Sequence, residues 1–86
     1  MKLHYTKRYL RSFRRLQRDD QESVAEAIAL FQDHPFHPIL RNHQLQGKMR
    51  GLRAIAAGYD LRILYREEGN HTIIFLLQTG THDQVY

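Results

Sequence analysis

The chain has 86 residues, a net charge of +4 and 42% apolar residues, with a sequence pI near 9.8. That length makes one domain, 1–86, with a small core, and the excess of base favours polyanionic partners without dictating a fold. Having no cysteine, the chain cannot form disulfides, thiolate metal sites or cysteine nucleophiles. The first ten residues, MKLHYTKRYL, hold no signal-peptide core, and no apolar run reaches the ~18 residues of a membrane span. The expected location is cytoplasmic, away from membranes.

Leu3–Tyr5 reads as an edge strand, and Thr6 as the N-cap of a helix. Tyr9, Phe13 and Leu16 recur at helical spacing within a strongly basic stretch that includes Arg8, Arg11 and Arg15. Asp19 or Asp20 is expected to cap a second helix, whose apolar positions are Val24, Ala27, Ile28 and Phe31 and which Pro35 ends. A turn of about one or two residues would fold the two helices into an antiparallel hairpin. Residues 34–51, with two prolines and two glycines, read mostly as loop.

From residue 52 onward the composition is that of strands. LRAIAA, DLRILYR and TIIFLLQ are joined by short links, the second of them the turn EEGNH, which predicts an antiparallel meander. TIIFLLQ reads as buried on both faces. The expected fold is α+β, in the order β-α-α-β-β-β, with the helical hairpin on one face of a small antiparallel sheet. The other face stays open. Alternation in DLRILYR sets Leu61, Ile63 and Tyr65 against Arg62, Leu64 and Arg66, and the arginine side is the candidate working surface. Leu64 fits that side poorly.

The residues able to do chemistry collect near this surface. His82 follows the apolar strand through Thr79, Gly80 and Thr81, where an imidazole can exchange protons at neutral pH. Gly80 is expected to let the backbone bend there. Asp60 and Arg62 are two positions apart, either a plain ion pair or a base beside an anion clamp, since a guanidinium fork matches a phosphate. Lys48, Arg50, Arg53 and Arg66 can track a phosphate backbone, and Tyr86 or Tyr59 can stack on a base. His34, His37 and His43 share a loop, but without cysteine partners or an HExxH spacing they predict no metal site.

Four pieces in order resemble the RelE/ParE toxin superfamily, and within it the YafQ-like ribosome-dependent mRNA interferases. They are H-x-L-x-G from His43, G-x-R from Gly51 to Arg53, D-x-R-I-x-Y from Asp60 to Tyr65, and G-T-H-x-x-x-aromatic from Gly80 to Tyr86. The resemblance implies a RelE-like fold and cleavage of mRNA in the ribosomal A site by attack of a ribose 2′-OH on the adjacent phosphate, with no cofactor or metal. By the matching positions, His82 is the general acid, Asp60 and His43 orient or activate the 2′-OH, Arg62 neutralises the phosphate, and Tyr86 lies near the base. It also implies a cognate antitoxin, whose acidic or amphipathic segment would cover Arg8, Arg11, Arg15 and the cleft.

The chain departs from the family pattern twice. Ala56 stands where a histidine is common, and Leu61 where an aromatic usually follows the aspartate. Two alternatives therefore stay open: a ParE-like gyrase inhibitor, and a catalytically weakened RNA- or ribosome-binding domain on the same fold.

Overall fold

A computed structural model describes residues 1–86. Five strands form one sheet in the order β1-β5-β4-β3-β2. They are β1 (Lys2–Tyr5), β2 (His43–Gln44), β3 (Arg53–Ala56), β4 (Leu61–Glu68) and β5 (Ile73–Thr81); the helices are α1 (Lys7–Arg14), α2 (Arg18–Asp33) and α3 (His82–Val85). The expected α+β arrangement and the antiparallel meander β3-β4-β5 are present. The sheet is mixed rather than antiparallel, because β1 joins β5 in parallel. No helix is long and apolar enough to cross a membrane.

The hairpin forms for local reasons. Thr6 caps α1, its hydroxyl accepting from the Tyr9 N–H at 3.2 Å and donating to the Leu76 carbonyl at 2.7 Å. The N-cap of α2 is Gln17, not an aspartate; Asp19 and Asp20 lie inside the first turn, where their charge still favours the positive end of the helix dipole. The link between the helices, Arg15 to Gln17, is longer than expected. Val24, Ala27, Ile28 and Phe31 bury against Ile55, Ile63, Tyr65, Ile74 and Leu76 in the main core.

Two segments differ from the sequence reading. Residues 34–51 are not simply loop: they contain 3-10 turns at Pro38–Leu40 and Gly47–Met49 and the short edge strand β2, which pairs with β3. β5 is not buried on both faces. Ile74 and Leu76 are buried, whereas Ile73, Phe75 and Leu77 are half-buried. A bulge lies on β5 as well. Leu64 pairs with Gln78 but Tyr65 pairs with Leu76, so Leu77 is an extra residue. Past the bulge the facing of β5 shifts by one, which buries Thr79 and sets Gly80 opposite Arg62.

α1 closes the outer edge of β5 beyond the end of β1. The Thr79 N–H donates to the Ser12 hydroxyl at 3.0 Å, and Arg8 donates to Gln78 at 2.7 Å. Backbone groups at this sheet edge are thereby satisfied by side chains.

Burial pushes the hydroxyl pKa of Tyr9 and of Tyr65 above the ordinary tyrosine value. Unfolded tyrosines ionise near ~10, so above that pH the unfolded chain has lost protons that the native chain keeps. Stability is then complete below about pH 10 and falls as pH rises further. The urea midpoint should drop between about pH 9 and about pH 11, less steeply in Tyr9→Phe.

Candidate active site

The open face of the sheet is not bare. Leu64 and Ala54 form a second small cluster there with Val85 from α3, bordered by Leu45, Met49 and Leu77. This is why a leucine stands among the arginines of β4: it is the floor on which the C-terminal turn rests.

The tail is therefore a built element rather than a frayed end. Thr81 and Gln84 form a capping box, the Thr81 hydroxyl accepting from the Gln84 N–H and the Gln84 side chain accepting from the Thr81 N–H. The T-x-x-Q spacing of residues 81–84 is a readable sign of this helix start, and the sequence reading passed over it. The His82 N–H donates to the Asp60 carbonyl at 3.0 Å, tying α3 to the β3–β4 turn. The Gln78 side chain donates to the Gln84 carbonyl at 3.3 Å. Gly80 has a specific role, and it is not a bend. A Cβ there would lie 2.7 Å from Gln84 Oε1 and 3.2 Å from Gln84 Cβ, so any side chain would press on Gln84 and its bond to the Thr81 N–H.

The His82 and Tyr86 rings meet edge to face, with centroids 4.5 Å apart and planes at 76°. Both remain exposed, as does Asp83, whose carboxylate is 3.4 Å from His82 Nδ1. Burial raises the pKa of the Tyr86 hydroxyl, and the nearby positive charge of Arg62 lowers it in part. Tyr86 and Arg62 are thus electrostatic neighbours.

Arg62 is half-buried and curls against the β3–β4 turn. Its Nη1 donates to the Leu61 carbonyl at 2.8 Å and reaches the Tyr59 carbonyl at 3.5 Å. It makes no ion pair with Asp60, which is exposed and free of salt bridges. The side-by-side ion pair is therefore not formed, and both charges stay available. Gly58, with φ +114°, supplies a backbone conformation closed to L side chains in the turn that carries Asp60.

His43 lies on β2, opposite Ala54, which pairs in turn with Leu64. It is therefore on the open face, two strands from Arg62 and one alternate residue along, about 12 Å from backbone to backbone. Its Nδ1 is 2.8 Å from the Arg41 carbonyl. A carbonyl only accepts, so Nδ1 carries a proton, and in the neutral imidazole it is Nε2 that presents the lone pair.

The basic residues separate. Lys48 and Arg50 are exposed on the segment beside the Leu64 cluster. Arg66 is on the open face, but at the far end of β4. Arg53 is not on that face. It pairs with Tyr65, and its Nε donates to Asn42 Oδ1 at 2.9 Å and to the Tyr65 hydroxyl at 3.2 Å. Its guanidinium also lies 5.4 Å from the Phe36 ring. The alternation within β3 assigns Arg53 to the helix side, where it holds β2 and the 34–42 segment in place. Asn42 was invisible in the sequence, yet its Oδ1 also accepts from the Tyr65 hydroxyl at 3.0 Å. Asn42→Ala should destabilise the protein by about 1–3 kcal/mol in urea unfolding, because it removes the acceptor that the Tyr65 hydroxyl and Arg53 share and leaves the Tyr65 O–H without a partner.

Ala56 is buried and faces Arg62 across the strand pair, and Leu61 is in the helix-side core. Tyr59 is fully exposed at the turn. Arg8 and Arg11 on α1 and Arg15 at its C-cap share one side by their i, i+3, i+7 spacing and are exposed. His34, His37 and His43 do not converge: His37 Nδ1 accepts from the Ile39 N–H, and no three metal-binding side chains meet anywhere in the protein.

A profile described as "Bacterial toxin of type II toxin-antitoxin system, YafQ" matches residues 1–86. The chain belongs to the YafQ family of type II toxins. Solved structures agree on the fold. YafQ from E. coli strain BL21(DE3) is 17% identical with a TM-score of 0.82, over 98% of this chain and 96% of that one. A copper-bound mutant toxin from Helicobacter pylori is 24% identical with a TM-score of 0.80, over 100% and 99%. A chain from the E. coli DinJ-YafQ toxin-antitoxin complex is 20% identical with a TM-score of 0.79, over 98% and 94%. Comparison with curated protein sequences gives no significant match. The YafQ-family assignment covers both the hairpin and the C-terminal turn, so α3 is part of the toxin domain.

Proposed function

We propose that this toxin is a metal-independent, ribosome-dependent endoribonuclease that cuts mRNA in the A site. The observation that carries the reading is α3, which packs His82 against Tyr86 just past the point where β5 pairs with Leu61 and Arg62, and is tied by its first N–H to Asp60. His43 Nε2 takes the proton of the ribose 2′-OH, and the exposed Asp60 carboxylate orients that hydroxyl. The 2′ oxygen bonds to phosphorus. The bond from phosphorus to the 5′ oxygen breaks, and His82 protonates the leaving oxygen. A cyclic phosphate and a 5′-hydroxyl result. Arg62 bears the charge that builds on the phosphate, where fixed donors act most strongly. Tyr86 holds the adjacent base, and Lys48 and Arg50 attract the backbone. Arg53, expected to contact RNA, supports the reading only as a brace for β2 and hence for His43.

The partner is a cognate antitoxin, as in the DinJ-YafQ complex. A groove of about 300 Å³ between α1 and α2, lined by Tyr5, Tyr9, Leu10, Phe13 and Ile28, is apolar, and Arg8 and Arg11 lie on α1 with Arg15 at its C-cap. An amphipathic acidic segment suits both. The affinity of the purified pair should fall as salt rises; equal affinity at low and high salt would remove the role of these arginines.

The deciding experiment adds purified toxin to a cell-free translation extract and maps mRNA ends. Cuts within ribosome-engaged codons, leaving 5′-hydroxyl ends, are expected. Intact mRNA with translation still blocked would favour the weakened ribosome-binding domain that Ala56 and Leu61 suggest. Unaffected translation with inhibited DNA supercoiling would favour a gyrase inhibitor.

A further inference from the structure

The open face carries a second group of residues, away from α3. His4 pairs with Phe75 across β1 and β5, and Phe75 pairs with Arg66 across β5 and β4. The three side chains form a row. The His4 and Phe75 rings are stacked, 4.9 Å apart at 16°. The Arg66 guanidinium lies 4.6 Å from the Phe75 centroid. β1 and β4 flank β5 on opposite sides, so Phe75 is held between an imidazole and a guanidinium, and both His4 and Arg66 are exposed.

Nothing in the chain covers this row, since α1 and α2 belong to the other face and α3 to the other end. Arg66 follows Arg62 by four residues on the same strand, about 13 Å further along the same face. Lys2, two residues before His4, adds a second cation on that side. The remaining neighbour is Glu68, which accepts from Arg66 Nη1 at 2.7 Å. Both side chains of that pair are about half exposed, 45% and 48%, so the bond is weak and leaves the other guanidinium donors free.

A guanidinium and an imidazole packed on an aromatic ring of an open sheet are surfaces on which unpaired RNA bases stack, and the same guanidinium binds phosphate. We propose that the His4–Phe75–Arg66 row is a second nucleotide subsite, which holds a single-stranded RNA residue flanking the cut site. The inference rests on the nuclease reading above for the identity of the substrate, but concerns residues that take no part in the reaction.

The test compares wild type with His4→Ser and Arg66→Gln in the translation extract, and titrates labelled free protein with a short 2′-O-methyl oligoribonucleotide, which lacks the attacking hydroxyl. Each variant should need about five times more protein for half-maximal cleavage, at unchanged cut positions. Where the oligonucleotide binds, amide shifts should appear at His4, Phe75 and Arg66 as well as at Arg62 and His82, and Arg66→Gln should lower the salt slope by about one. If the row merely covers the end of the sheet, the variants will lose thermal stability and still cut at wild-type concentrations, which overturns the subsite and leaves the nuclease reading standing. Shifts confined to Arg62 and His82 overturn it equally. A wild-type protein that cuts no mRNA overturns both.

Discussion

His82→Ala should lower mRNA cleavage by about 10²–10⁴, the usual worth of one positioned proton donor. The imidazole is exposed and its removal creates no cavity, so the unfolding midpoint should barely move. What changes is the fate of the leaving 5′ oxygen, which must depart without a proton. His82→Gln keeps a hydrogen-bond donor and a similar length but not the titration, so it should be nearly as inactive. Ends mapped in the extract read the loss directly. A variant that cuts as well as wild type would take His82 out of the reaction and leave α3 as a purely structural turn.

The second large effect is expected from Gly80→Val, a residue with no functional group. A side chain there meets Gln84 Oε1 and Gln84 Cβ, at 2.7 and 3.2 Å from where its own Cβ would stand. To accommodate it, Gln84 must release the Thr81 N–H or the whole turn must lift off β5. Either way His82 and Tyr86 leave Arg62, and displacement by about 1 Å costs on the order of 10²-fold when reacting groups need alignment. The main core lies on the other face and is untouched, so the protein should stay folded. Near-normal activity in Gly80→Val would mean that the position of α3 does not govern the reaction. Partial recovery in Gly80→Ala paired with Gln84→Ala, which clears the Oε1 contact, would assign the loss to that contact.

Helical spacing located α1 and α2, since each apolar stripe is local and faces the main core. Thr6 was legible as a cap because its chemistry is also local. Alternation in β4 set Arg62 apart from the core-facing Leu61 and Ile63, whereas His43, read as loop, reached the same face only through the pairing of β2 with β3. The errors share one cause: they depend on partners far away in the chain. Parallel pairing of β1 with β5 joins residues about seventy positions apart and leaves no periodic mark. The bulge at Leu77 resets the facing of β5, so simple alternation fails for Thr79 and Gly80. Arg53 looked like one more surface cation, yet it is bound to Asn42 and Tyr65 on the helix side. Leu64 looked misplaced until Val85 was found above it.

The strand order has a consequence for synthesis. β5 is the last strand made, yet it sits between β1 and β4, and both α1 and α3 attach to it. A chain emerging from its own ribosome therefore has no middle to its sheet until β5 has been added. Until then β1 lacks its neighbour, and α1 has no edge to close. Contacts between the two ends of a chain are the slow ones to form, because the intervening loop must close first. An unfinished copy that lacks β5 thus has neither the complete sheet nor the site that α3 builds on it.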